Sequence, residues 1–204
     1  MINSGVGGII LAGGQSRRMG SDKANLRLQP DGPTLLERAV ASLRTVVGDN
    51  LIVIANQPEK YNLELMVVGD NFPSNGPLAG LEAGLTASQM DYNILVACDM
   101  PFLQTDLLQA LVIWAKEGNW DAIVPLNRES LPEPLCAIYQ RRTLEVARSC
   151  LQQKRNKMAE FLKAINTRYL ALCDYEEFDP QLLSFKNLNT SQEFTEAARN
   201  ISNE

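Results

Sequence analysis

The sequence predicts an α/β fold: a mostly parallel sheet covered by helices on both faces. Short, nearly continuous apolar runs bounded by glycine or polar residues recur along the chain, the signature of strands buried on both faces. Between them lie segments of about 10–15 residues with apolar positions at helical spacing, the length of a βαβ crossover. The composition is that of a packed globule, with 45% hydrophobic and 21% charged residues. No linker-like stretch, repeat or low-complexity tract interrupts it, so residues 1–204 are expected to form one domain.

Each element follows from local residues. Gly7 to Ala12 (GGIILA) reads as the first buried strand, and a polar, Gly-rich loop runs from Gly13 to Asp22. Thr34 to Val47 carries a helical apolar face, with Thr34 and Glu37 at capping-box spacing and Gly48 as its stop. Leu51 to Ala55 and Leu65 to Val68 read as the next two strands, and Leu78 to Met90 as a helix entered through Pro77. Tyr92 to Cys98 is a strand and Thr105 to Lys116 an amphipathic helix. Ala122 to Pro125 and Leu135 to Tyr139 are strands joined by a Pro-rich loop. Arg141 to Gln152 and Lys157 to Ala164 read as helices, Arg168 to Cys173 as a late strand, and Thr190 with Glu193 opens a terminal helix.

Composition excludes whole classes of chemistry. The chain has no histidine, so Ser-His-Asp and Cys-His nucleophile pairs, His-ligated zinc and an imidazole base are ruled out. A net charge of −5 argues against a broad nucleic-acid surface. Cys98, Cys136, Cys150 and Cys173 are widely spaced and form no CxxC pair, which points to a reducing compartment and small core residues. No run approaches the ~18 apolar residues of a membrane span, and the N-terminus lacks a basic n-region. A soluble, cytoplasmic protein is expected.

Ligands of open α/β sheets bind beyond the carboxyl ends of the strands. After the first strand, Gly13 and Gly14 leave room for close backbone approach, and Arg17, Arg18 and Lys23 add positive charge; a solvated loop is the alternative. Neither GxxxxGK followed by Ser or Thr nor GxGxxG is present. Asp99 follows the strand ending at Cys98 and suits a hard cation such as Mg²⁺; Thr105 is the nearer N-cap for the next helix. Asp70 follows the third strand, as a ligand to a hydroxyl or as an Asx turn, and Asn56 ends the second. Gly76 and Gly80 flank a helix start where a base or sugar can lie against bare backbone.

The segments LAGGQSRRMGSDKA, GPLAGLEAGL, ACDMPFL and KNLNTSQEF resemble the molybdenum cofactor guanylyltransferases, nucleotidyltransferases with a Rossmann-like three-layer α/β/α fold. The resemblance runs from about Gly7 to Glu193. It implies that Leu11, Ala12 and Gly13 meet the guanine of GTP, Lys23 holds the triphosphate, and Asn56 and Asp70 bind the nucleoside. It makes Asp99 the ligand of GTP and Mg²⁺, and Gly14 and Arg18 further phosphate contacts. Asn187 and Asn189 fall on the pterin side, where the resemblance has them meet the pterin substrate or complete the site. Lys23, Asp99 and Arg18 are thus the implied catalytic residues. Three departures stand out. Arg18 and Lys23 are one residue closer than in some relatives, Ser191 replaces a frequent proline, and Pro134 lacks the histidine that some relatives place before it.

The implied reaction moves GMP from GTP to the phosphate of molybdopterin, releasing pyrophosphate. GTP and molybdopterin are the expected partners, with proteins that deliver molybdopterin or accept the product as further ones, and no nucleic acid or membrane. The cluster Lys154-Arg155-Asn156-Lys157 is either a docking site for such a protein or a solvated helix face. Cytidylyl transfer to molybdopterin, activation of a sugar phosphate, and a non-catalytic GTP-binding adaptor are the alternatives.

Overall fold

The computed structural model describes residues 5–12, 23–61 and 64–201. Among these, strands β1 (Val6–Leu11), β2 (Leu51–Ile54), β3 (Met66–Val68), β4 (Tyr92–Ala97), β5 (Ala122–Pro125), β6 (Cys136–Gln140) and β7 (Thr167–Leu170) form one sheet in the order β3-β2-β1-β4-β6-β5-β7. Helices α1 (Leu35–Val47), α2 (Pro77–Ala87), α3 (Thr105–Glu117), α4 (Leu144–Gln152), α5 (Met158–Lys163), α6 (Leu172–Tyr175) and α7 (Ser191–Ile201) complete it.

Most pairings are parallel. β1 pairs with β2 through Ile10↔Val53 and with β4 through Ile10↔Val96. β6 is the exception and runs antiparallel to both β4 and β5. The link 126–135 between β5 and β6 is too short for the crossover helix that a parallel return requires. It folds back on itself through a Leu126↔Pro132 bridge.

Alternation along the strands supplies two cores. Ile10, Val53, Ile94 and Val96 face α1 and α3, whereas Ile9, Ile52, Ile54 and Leu95 face α2, α4 and α5. The result is the three-layer arrangement. α1 begins where expected: Glu37 N–H donates to Thr34 Oγ1 at 3.1 Å, and Thr34 N–H to Glu37 Oε2 at 2.7 Å. Gly48 ends α1 at a φ of 65°, which a side chain would strain.

Several boundaries differ from expectation. α2 stops at Ala87, because the Ser88 hydroxyl turns to accept Met90 N–H and to bond Asn93 Oδ1. The helix from Arg141 opens as a 3-10 turn and becomes α-helical only at Leu144. The last strand ends at Leu170, where Asp174 accepts the Ala171 N–H and starts α6; Cys173 is therefore helical and exposed, not a core residue. Cys98, Cys136 and Cys150 are buried. Lys154 to Lys157 form the exposed link between α4 and α5, with Lys154 at a φ of 59°, rather than a helix face.

Candidate active site

The chain runs from β1 to β2 and β3 on one side of the sheet, then returns to β4 on the other side of β1. This makes the carboxyl ends of β1 and β4 a topological switch point, where such sheets bind ligands. Backbone bonds hold the strand ends together here: Cys98 N–H donates to Leu11 O at 3.0 Å between β4 and β1, and Ala12 N–H to Ile54 O at 2.8 Å between β1 and β2.

Lys23 opens a 3-10 turn ahead of α1 and projects toward β4. Its Nζ donates to Asp99 Oδ2 at 2.9 Å and to Asn189 Oδ1 at 2.9 Å. The Lys23 and Asp99 side chains are 19% and 20% exposed, so the pair lies at a solvent-accessible mouth rather than in the core. Three distant segments thus meet at one ammonium.

The C-terminal segment is fastened to this point from both ends. Leu188 N–H donates to Asp99 O at 3.0 Å. Glu193 Oε2 accepts Asn189 N–H at 2.7 Å and Thr190 N–H at 2.9 Å. Those two N–H groups, Asn189 first, hold the Glu193 carboxyl below its ordinary range, and the Lys23 charge adds to the effect. Leu188 and Ala197 pack with Leu28 and Leu35 in a satellite cluster that Phe102 and Phe194 border. Among the described residues, Asn187 Oδ1 is buried with no hydrogen-bond partner.

The nucleoside candidates sit on neighbouring strand ends. Asn56 is exposed just beyond β2. Asp70 Oδ1 accepts Phe72 N–H at 2.8 Å, an Asx turn. Burial pushes the Asp70 carboxyl above its ordinary range, the Phe72 N–H opposes this, and the Glu82 charge reinforces it. Gly13, Gly14 and Arg18 lie outside the described residues.

One expectation is corrected. Gly80 does not offer bare backbone to a ligand; a Cβ there would meet Leu11 Cδ2 at 2.6 Å, so the glycine lets α2 pack against β1. Gly84 does the same against Ile9, where a Cβ would approach Cγ2 to 2.6 Å.

A family model described as the MobA-like NTP transferase domain matches residues 8–168. The chain belongs to the MobA-like NTP transferases. Within that family it is 36% identical to a Desulfosudis oleivorans protein named molybdenum cofactor guanylyltransferase, over 94% of each chain. A Bacillus cereus protein named probable molybdenum cofactor guanylyltransferase is 31% identical over 97% of this chain and 98% of its own. The crystal structure of molybdopterin-guanine dinucleotide biosynthesis protein A from Archaeoglobus fulgidus superposes with a TM-score of 0.84 at 26% identity, covering 97% of this chain and 99% of that one. The 2-C-methyl-D-erythritol 4-phosphate cytidylyltransferase of Thermus thermophilus, at 16% identity and a TM-score of 0.72, shares the fold.

In this MobA-like transferase two connections are not legible in the motifs. Asn189, expected to meet the pterin or complete the site, holds Lys23 through its amide oxygen. Glu82 bonds Arg148 and Asn71, and its only sequence signal is a lone charge inside the apolar helix PLAGLEAGL.

Proposed function

We propose that this MobA-like transferase moves GMP from GTP to the terminal phosphate of molybdopterin, releasing pyrophosphate and forming molybdopterin guanine dinucleotide. The observation that carries the reading is the 2.9 Å contact between Lys23 Nζ and Asp99 Oδ2 at the sheet's switch point. A cation and a carboxylate in that place suit the two sides of a metal-bound triphosphate.

The donor chemistry fits Mg²⁺. Asp99 offers hard carboxylate oxygens at the mouth of the site, and among the described residues no group of three ligating side chains assembles there or elsewhere. Mg²⁺ is typically held by one or two carboxylates, with substrate phosphates and water completing its shell. When bound, the ion supplies neutralisation of triphosphate charge. Asp99 would hold it.

The remaining work falls to the chain's own residues. Lys23, a compact point charge on a flexible stem, exchanges its protein acceptors for phosphate oxygens and offsets charge that grows on the departing pyrophosphate. Arg18 is assigned to the same task. The attacking group is an ionised phosphate oxygen of molybdopterin. It forms a bond to the α-phosphorus as the bond to the β-phosphate oxygen breaks, and pyrophosphate leaves with the electron pair. No proton has to be removed, so a chain without histidine lacks nothing. Rate enhancement rests on positioning and charge stabilisation.

Leu11 and Ala12 line the base. The Ala12 N–H is already donated to Ile54, so a contact from Ala12 uses its carbonyl. Gly13 is assigned to the base with them, Asn56 and Asp70 take the nucleoside, and Gly14 goes against the phosphates. The Asn187 oxygen, buried and without a partner among the described residues, suits an N–H donor of the pterin, with Asn189 beside it. This reading places one catalytic domain in the cytoplasm, supplied with molybdopterin by a partner protein.

Pyrophosphate release from the purified protein with Mg²⁺, molybdopterin and each nucleoside triphosphate tests the assignment. Release with GTP and not CTP is expected. Preference for CTP, a requirement for a sugar phosphate, or GTP binding without release would replace this reading with the corresponding alternative.

A further inference from the structure

Glu82 is a carboxylate inside the molecule, 1% exposed on a helix otherwise made of Leu, Ala, Gly, Pro and Thr. Buried carboxylates persist only where partners satisfy them. Glu82 Oε1 accepts Arg148 Nε from α4 at 2.7 Å and Thr86 Oγ1 at 3.0 Å. Arg148 also bonds Glu145 Oε1 at 2.9 Å and Thr86 Oγ1 at 3.0 Å. These contacts join α2 to α4 through one carboxylate oxygen. The other oxygen, Oε2, accepts Asn71 Nδ2 at 2.9 Å.

Asn71 follows Asp70 directly, and its backbone lies in the exposed segment between β3 and α2. Asp70 pins the far side of the same turn through Phe72 N–H. The turn is therefore fixed from within by Asp70 and from the rigid α2–α4 pair by Glu82.

We propose that Glu82 is a positioning residue for the nucleoside half of the nucleotide site. It fixes the 70–72 turn through Asn71, so that Asp70 meets hydroxyl or N–H donors of the nucleoside in a set geometry. Arg148 holds the Glu82 carboxylate in place. The inference rests on the reading that Asp70 contacts the nucleoside. Its consequence is selective: the tether governs affinity for the nucleoside and leaves the phosphate subsite around Lys23 alone.

The test compares KM for GTP with the inhibition constant of inorganic triphosphate, which lacks a nucleoside. Asn71→Ala cuts the tether at an exposed loop residue and spares the α2–α4 pair. It should raise KM for GTP about tenfold or more, the scale of a hydrogen bond to a charged group, with kcat within about twofold and triphosphate inhibition unchanged. Glu82→Gln should move KM the same way, and Glu145→Gln, which bonds Arg148 but neither Glu82 nor Asn71 among the described residues, should not. If Glu82→Gln folds poorly, Asn71→Ala decides alone. An unchanged KM in Asn71→Ala, while Asp70→Ala raises it, overturns the positioning role and leaves the Asp70 assignment standing. A parallel loss of triphosphate inhibition overturns it too, since that marks general damage. An Asp70→Ala variant with unchanged KM removes the Asp70 reading and this inference with it.

Discussion

Lys23 and Asp99 stand 2.9 Å apart and about one-fifth exposed, a setting in which an ion pair contributes little to stability, roughly 0–1 kcal/mol. Their value lies in charge presented to a ligand. A preorganised charge-stabilising group is worth ~10²–10³ in rate. Lys23→Ala and Asp99→Ala are each expected to lower turnover by about that factor while the thermal midpoint barely moves. Steady-state pyrophosphate release beside thermal unfolding checks both, and near-normal turnover at saturating GTP and Mg²⁺ would remove the residue from the mechanism. Asp70 behaves in the opposite sense. Burial raises its carboxyl above the ordinary 3.8, so its ionisation is harder in the folded chain than in the unfolded one. The fold carries no penalty below that ordinary value and acquires one as pH rises through it. Asp70→Asn should therefore raise the melting midpoint near pH ~7, leave it unchanged near pH ~3, and weaken GTP binding. Equal midpoints near neutrality would contradict the burial account.

The element that assembles the site is α7 with its lead-in, and it is held by modest means. Glu193 caps its start, Leu188 reaches Asp99, and the satellite cluster with Phe194 at its border packs it on the segment before α1. This cluster is separate from the two cores that sandwich the sheet, so it can open without unfolding them. Removing the partly buried Phe194 phenyl costs about 1–2 kcal/mol at ~25 cal/mol per Å². Phe194→Ala should then speed native-state hydrogen exchange at the Leu188 amide about tenfold, with β4 amides unaffected. Unchanged protection at Leu188 would show that α7 docking does not depend on this cluster. Glu193 adds an acid-sensitive part. Its carboxyl lies below the ordinary 4.5 in the folded chain, so its stabilisation is present above that value and is lost as pH falls through the lowered one.

Across the chain, local patterns predicted what local physics controls. The apolar runs of β1, β2 and β4, the Thr34–Glu37 box and the Gly48 stop are decided by nearby residues, and the structure matches them closely. The direction of β6 was not readable from its own residues, because it depends on the brevity of the link before it. Cys173 resembled strand continuation until the Asp174 carboxylate, by capping Ala171, made it helical. The strand-end rule singles out Lys23, Asp99, Asp70 and Asn56 as candidates from the sequence. It had no means of finding the Lys23–Asn189 bond, whose partners lie 166 residues apart, or the Arg148–Glu82–Asn71 chain across two helices and a loop. Contacts of that range are set by the packed sheet. A crystal structure of the protein with Mg²⁺ and a non-hydrolysable GTP analogue tests the Lys23–Asp99 site most directly. The triphosphate should be seated between Lys23 Nζ and the Asp99 carboxylate with the ribose beside Asp70; a triphosphate bound elsewhere, with Lys23 still paired to Asp99, would contradict the proposed mechanism.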